Sequence, residues 1–159
     1  MKVFLTAALM LAFGMQTYAA DSNTGLQYAD VTKMELDPNL PEPFARTQVA
    51  QVMIDNNDQA ATLMFLMAED EGIEVTFPIV SDMTDACSNR TVIGAPPAGS
   101  TPYYKDFEIK IVDYSANTCT NIQPLAQTVA TLKSYEVRHK TTTLSTLLAG
   151  KLKTGKIEE

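Results

Sequence analysis

The chain has 159 residues, of which 45% are hydrophobic, and 12 basic against 19 acidic residues give a formal net charge of −7. This length suits one folded domain that can bury a core. An acidic surface repels phosphate backbones and anionic lipid headgroups, so the composition argues against nucleic-acid binding and membrane-surface binding.

The first nineteen residues have the organisation of a secretory signal peptide. Lys2 precedes an apolar run over residues 3–13, and a more polar stretch then leads to the small residues Ala19 and Ala20. The run is far shorter than the roughly 20 residues that span a bilayer. We therefore predict a cleaved signal at 1–19, a mature domain at 20–159, no membrane insertion after cleavage, and a periplasmic or secreted location.

The first half of the mature chain predicts strands separated by strong turns. Residues 26–36 have an irregular strand pattern, and the three prolines of 37–43 break it. Residues 47–55 alternate as a strand does, and the Asp and Asn residues of 55–58 favour a turn. Residues 61–68 are apolar on both faces, which predicts a strand covered on both sides, with a short helix as the alternative.

The middle of the chain predicts a hairpin and two further strands. The turn at 69–72 ends in a glycine, and residues 73–77 alternate between apolar and polar. Pro78 cannot donate a backbone hydrogen bond, so this strand is expected to end there or to lie at a sheet edge. Residues 91–93 predict a short strand, and residues 105–114 predict a half-buried one.

The last third contains the ambiguous segments. Residues 124–134 fit a helix by the spacing of their apolar residues and a strand by their Thr and Val content. Residues 135–140 alternate as a strand does, whereas the leucines of 144–152 match a short amphipathic helix. The predicted fold class is mainly β, a small β-sandwich or barrel-like domain with one disulfide and room for a short C-terminal helix.

The two cysteines, Cys87 and Cys119, predict one disulfide bond, because an even pair in an exported protein is normally oxidised. Both lie in polar, turn-like contexts, so the bond is expected to connect two loops. On the chain-entropy model it stabilises the fold by roughly 3–4 kcal/mol. Near the first cysteine, Asn89 begins an N-glycosylation sequon over residues 89–91, which matters only in a eukaryotic host.

The residue counts disfavour the common catalytic machineries. His139 is the one histidine, and its neighbours Arg138 and Lys140 disfavour the protonated imidazole that a general base must become. One histidine and two oxidised cysteines leave no thiolate nucleophile and too few ligands for a zinc site. We therefore predict no catalytic residue, no bound metal and no cofactor.

Oxygen-rich turns are the best remaining candidates for calcium. Residues 55–58 and 81–85 each contain two Asp residues, but neither segment has the spacing of a complete calcium loop. Asp and Asn are also the residues that turns select. A pair of acids for glycoside hydrolysis cannot be identified without a family motif.

One segment has the composition of a recognition loop. Residues 94–104 contain Pro96 and Pro97, which restrict the chain, and Tyr103 and Tyr104, which offer large amphipathic contacts. A plain connection between strands is the competing interpretation.

The leading hypothesis is an exported, non-catalytic β module that binds a protein or small ligand through loops around the disulfide, including residues 94–104. A carboxylate-dependent hydrolase acting on cell-wall or extracellular polymer is the first alternative. A structural subunit that assembles by β-strand addition is the second.

Overall fold

The computed structural model describes residues 25–38, 47–67, 71–97, 106–119, 126–135 and 141–155. These residues form nine strands: β1 Leu26–Leu36, β2 Thr47–Asp55, β3 Ala60–Met67, β4 Gly72–Thr84, β5 Arg90–Gly94, β6 Phe107–Asp113, β7 Thr128–Tyr135, β8 Thr141–Ala149 and β9 Lys153–Thr154.

The first eight strands form a closed barrel. Each strand pairs antiparallel with the next one along the chain, and β1 closes the ring because it pairs with both β2 and β8. The two-residue strand β9 adds to β1 through Gln27 and Tyr28. The mainly β, barrel-like fold class predicted from the sequence is therefore confirmed.

Two strands, β1 and β4, each change partner partway along their length. In β1, residues 26–30 pair with β2 and residues 31–36 pair with β8, with a bulge between Val31 and Lys33. In β4, Gly72 to Pro78 pair with β3, and Ile79 to Thr84 pair with β5, with a second irregularity between Ile79 and Ser81. The barrel is thus built as two sheets that share these two bent strands.

The barrel interior is filled by side chains that alternate inward along each strand. Phe65 and Leu63 are fully buried, and they lie across the interior from Ile109, Leu132 and Leu147, which are equally buried. Burial of such aliphatic and aromatic side chains contributes about 1.5–3 kcal/mol each. The interior is a packed core and not a channel.

Gly94, at the end of β5, lies close against Ala61 of β3 and Phe77 of β4. A Cβ atom at this position would lie 3.0 Å from the Cβ of Ala61 and 3.3 Å from the Cβ and the carbonyl oxygen of Phe77. A side chain there would push the sheets apart, so the position requires glycine for space.

The connections of an up-and-down barrel lie alternately at its two ends. The turns at 56–59 and 85–89 lie at one end, and the connection at 114–127 begins and ends there. This end contains both cysteines and is called the disulfide end here. The connections at 37–46, 68–71, 95–106 and 136–140 begin and end at the opposite end, which is called the Pro96 end.

The predicted C-terminal helix is wrong, because residues 141–149 form strand β8. Ser145, Leu147 and Ala149 are buried at every second position, and the strand pairs with β7 and β1 on its two sides. The leucine spacing is compatible with a helix, but the β-branched residues Thr141 to Thr143 favour a strand, and β7 and β1 both offer backbone groups for pairing. The ambiguous segment 124–134 is likewise a strand from Thr128 onward.

Pro78 does not end its strand. β4 continues to Thr84, and the residue lies where the strand leaves β3 and joins β5. The Pro78 carbonyl accepts a hydrogen bond from the Ala95 N–H at 3.1 Å, and the proline nitrogen, which cannot donate, lies at the change of partner.

The other strand predictions agree with the structure, including residues 26–36, 47–55, 91–93 and 105–114 to within a few residues. The predicted signal at 1–19 and most of the predicted strand at 135–140 lie outside the described residues. Among the residues that are described, no helix is long and apolar enough to cross a membrane.

Replacement of Gly94 by alanine should destabilise the barrel by about 1–3 kcal/mol, because the new Cβ overpacks the contact with Ala61 and Phe77. Urea unfolding followed by circular dichroism would measure the change. Gly150→Ala is the matched control, since a Cβ at Gly150 has no atom within 4 Å, and its effect should stay within about 0.5 kcal/mol. Equal effects of the two substitutions would contradict this account of Gly94.

Candidate functional site

The disulfide predicted from the sequence is confirmed, and it connects two loops as expected. Cys87 in the β4–β5 turn is bonded to Cys119 in the β6–β7 connection, with a Cα–Cα distance of 5.3 Å. The Thr118 N–H also donates to the Cys87 carbonyl at 2.8 Å. The two loops are therefore held together covalently and by backbone pairing at one end of the barrel.

Aspartate side chains order the same loops. Asp85 accepts hydrogen bonds from the backbone N–H groups of Cys87 (2.8 Å) and Asn89 (3.0 Å), and these bonds hold the pKa of its carboxyl below the ordinary range, the Asn89 backbone contributing most. Asp113 accepts from the Ser115 N–H at 2.9 Å in the next connection. These contacts are typical of Asx turns, in which the carboxylate replaces a turn carbonyl.

The sequon asparagine lies inside this network. The Asn89 Nδ2 donates to Asp85 Oδ2 at 3.0 Å, and its Oδ1 accepts from Asn117 Nδ2 at 2.5 Å. The side chain is half-buried between the two disulfide-linked loops. A glycan on Nδ2 would replace one of the two amide hydrogens of this half-buried side chain.

Arg90, the first residue of β5, is the centre of the largest polar network described. Its guanidinium donates twice to Asp82, at 2.9 and 2.6 Å, once to Gln27 Oε1 at 2.8 Å and once to Asn56 Oδ1 at 2.6 Å. Its partners belong to β1, the β2–β3 turn and β4, and Arg90 itself belongs to β5. One side chain thus connects four parts of the barrel at the disulfide end.

The Arg90 network is electrostatically balanced. The two-pronged hydrogen bond from Arg90 lowers the pKa of the Asp82 carboxyl, and the same bond, assisted by the charge of Asp113, raises the pKa of Arg90. Such fork-shaped pairing with a carboxylate is the strongest geometry available to arginine. Because the cation already has its counter-charge and donates to neutral acceptors, the network closes the barrel end and leaves little charge for a ligand.

The two acidic turns considered for calcium have structural roles. Asp55 Oδ1 accepts from the backbone N–H groups of Asn57 (2.8 Å) and Asp58 (3.0 Å), while Asp82 and Asp85 are occupied as described above. In the described ranges, no three His, Cys, Asp or Glu side chains converge as ligands of a metal ion would.

The opposite end of the barrel has a different character. The strands finish there in a set of partly or almost fully buried apolar side chains, which we call the terminal apolar layer: Leu36 of β1, Met67 of β3, Ile73 of β4 and Phe107 of β6. They pack on the core below, and in the described residues this end carries no counterpart of the Arg90 network.

The structure separates the two halves of the expected binding surface. Pro96 is half-buried and Pro97 is exposed, and both follow β5 at the Pro96 end, whereas Cys87 and Cys119 lie at the other end. Tyr103 and Tyr104 belong to the same connection as the prolines but lie outside the described residues, as does His139. The disulfide and the two prolines therefore lie at opposite ends of the barrel.

A shallow groove of about 520 Å³ lies on the side of the barrel, beside the bulge in β1. Its floor includes Ala29 and Leu152, and the exposed side chains of Asp30, Lys151 and Lys153 lie at its rim. The groove opens widely to solvent, which limits how much of a ligand it could enclose.

Arg90 was not recognised as important from the sequence, although a signal was present. Asp82 precedes the β4–β5 turn and Arg90 follows it, as acid–base pairs across a hairpin often do. Its other partners, Gln27 and Asn56, lie 63 and 34 residues away in sequence, and nothing local predicts them.

No protein-family profile matches this chain, and no curated protein or solved structure is significantly similar to it. A functional inference for this chain therefore depends on the geometry of its two barrel ends and its strand edges.

Replacement of Arg90 by lysine should lower the free energy of unfolding by about 1–2 kcal/mol, because lysine keeps the charge but cannot reach Asp82, Gln27 and Asn56 together. The expected loss of stability is small for a hydrogen-bonded ion pair, because 24% of the Arg90 side chain and 34% of the Asp82 side chain remain exposed to solvent. Denaturant unfolding at neutral pH would measure it. Lys33→Arg is the control, because Lys33 and Glu35 form a surface ion pair whose side chains are 63% and 60% exposed. A loss of stability of similar size in Lys33→Arg would contradict the structural role assigned to Arg90.

Glu74→Gln should stabilise the protein at pH 7. Burial raises the pKa of the Glu74 carboxyl, and the hydrogen bond from Thr76 only partly opposes this. A raised pKa in the folded state means that ionisation of Glu74 disfavours folding as the pH rises through that pKa. The stability difference between variant and wild type should vanish below about pH 4, where both states are protonated, and thermal unfolding at several pH values would show it. Glu71→Gln, at an exposed position, should have little effect at any pH.

Proposed function

We propose that the chain is an exported, non-catalytic β-barrel module that binds a macromolecular partner at its Pro96 end. The observation that carries this proposal is the asymmetry of the barrel. One end is closed by a disulfide and by the Arg90 network, whereas the other ends in apolar side chains that are only partly covered. Apolar surface next to a conformationally restricted connection is typical of interaction sites.

A protein partner is favoured over an enclosed small molecule because the interior is occupied. Phe65, Leu63, Ile109 and Leu132 are fully buried in the centre of the barrel. A small ligand would need a cavity of a few hundred Å³ that buries most of its surface. A partner that rests on the terminal apolar layer needs no such cavity.

The disulfide supports export, since such bonds persist in oxidising compartments and are rare in the reducing cytosol. Both cysteines of the chain take part in it. Together with the signal-like first nineteen residues, this supports a periplasmic or secreted location, in which intact-mass measurement would find the mature chain beginning at residue 20.

The carboxylate-dependent hydrolase gains no support from the described carboxylates. Asp55, Asp85 and Asp113 accept hydrogen bonds from turn backbones, and Asp82 is paired with Arg90. Glu74 has the raised pKa that a general acid needs, but its hydrogen-bond neighbour is Thr76 and not a second carboxylate.

The substitution Met67→Lys should abolish partner capture, because a charge in the terminal apolar layer opposes burial of that surface. The wild-type mature chain and the variant would be used as baits in extracts of the compartment from which the protein is isolated. Ala116→Lys, an exposed residue at the disulfide end, is the matched control. Species retained by the wild type and by the Ala116 variant, and lost with the Met67 variant, are the expected result.

Capture that survives Met67→Lys, or that is lost with Ala116→Lys, would overturn the assignment of the Pro96 end. Replacement of both Tyr103 and Tyr104 by alanine tests the rest of the same connection, and unchanged capture would remove these tyrosines from the proposed surface. Unfolding curves of each variant distinguish loss of binding from loss of fold.

A further inference from the structure

The second half of β4 has a free edge. Pairing between β3 and β4 stops at Ala60 and Pro78, and beyond this point β4 pairs only with β5 among the described strands. The Ile79 N–H still donates to the Gln59 carbonyl at 2.7 Å in the β2–β3 turn. The strand then runs on to Thr84 with its outer side unpaired by any described strand.

The direction of the backbone groups along this edge follows from the adjacent turn. The Asp85 N–H donates to the Asn89 carbonyl at 2.9 Å, which is on the β5 side. Backbone groups alternate in direction along a strand, so those of Ser81 and Met83 also point to β5. The N–H and C=O groups of Asp82 and Thr84 therefore point outward, away from β5.

The same edge carries exposed apolar side chains. In the described part of the chain, Val80 and Met83 are the large hydrophobic residues that lie mostly in solvent, with 62% and 64% of their surface exposed. Edge strands of natural proteins usually carry charged residues or proline in such positions, which prevent pairing with other chains. Here Pro78 and the irregularity at Val80 protect only the start of the segment, and residues 81–84 remain regular.

We propose that two copies of this chain form a symmetric dimer by antiparallel pairing of their β4 edges. In the matching register, Asp82 of one copy pairs with Thr84 of the second, and Thr84 with Asp82, which forms four backbone hydrogen bonds. Met83 then lies directly opposite Met83 of the second copy, in the close, non-hydrogen-bonded type of pair. Such an interface is isologous and closes at two copies.

The edge is complementary to itself in this register, which favours a second copy over an unrelated peptide. Asp82 lies opposite Thr84 of the second copy, and Asp85 comes next to Ser81, so the register places no like charges directly opposite each other. The charge of Asp82 is already paired with Arg90 of its own chain. The two Met83 side chains, which are 64% exposed in the single copy, cover each other in the pair.

Sedimentation velocity on the mature protein tests the proposal. Because the paired segment is short, the interface is small, and we expect the monomer to convert to dimer as concentration rises from about 1 μM to about 1 mM. Met83→Lys places two ammonium groups opposite each other and should leave a monomer throughout. Gln48→Lys, at an exposed position of β2, should behave as the wild type. A wild-type monomer at every concentration, or a dimer that persists in Met83→Lys, would overturn the proposal.

A cysteine at Met83 gives a second, positional readout. Since both native cysteines are in the disulfide, a new thiol at this position has only its copy as a specific partner. The close pair geometry suits a disulfide, so mild oxidation of Met83→Cys should yield a covalent dimer much faster than oxidation of Gln48→Cys. Equal rates would contradict the register. Partner capture at the Pro96 end is measured separately, so either proposal can fail without the other.

Discussion

The change of hydrogen-bonding partner within β1 and β4 is the constraint on which this barrel depends. Buried backbone groups must be paired, and each of these two strands pairs with one sheet along its first half and with the other along its second half. The irregularities near Val31 and Val80 bend the strands where they change partner. The close packing of the sheets at Gly94 and the filled interior follow from this closure, and so does the free edge at the end of β4.

The strands end in different kinds of contacts at the two ends of the barrel. At the disulfide end, the loops are held by a covalent bond, by Asp side chains that accept hydrogen bonds from turn backbones, and by Arg90. At the Pro96 end, strands finish in Leu36, Met67 and Phe107, which are covered only in part. The disulfide and the polar contacts hold the strands together at the disulfide end. At the Pro96 end, burial of the apolar side chains against a partner would lower the free energy.

Most polar side chains discussed above form hydrogen bonds that stabilise the fold. Carboxylates of the two turns considered for calcium accept hydrogen bonds from turn backbones or from Arg90, and the sequon asparagine is hydrogen-bonded to Asp85 of the second turn. The apolar side chains that stay partly or mostly exposed are those of the terminal apolar layer and Val80 and Met83 on the β4 edge. They lie on different parts of the barrel, so the proposed self-association and the proposed partner binding would not compete for one site.

The sequence by itself determined the strand-rich class, the single disulfide and the strands at 47–55, 73–77 and 105–114, because alternation and cysteine pairing are local or near-local signals. It misassigned residues 144–152, since leucine spacing is compatible with a helix until β7 and β1 are present to pair with the strand. Tertiary structure alone decided the closure of the barrel, the end at which each loop lies and the partners of Arg90. These features depend on backbone pairing and side-chain contacts between residues far apart in the chain, and no local pattern encodes them.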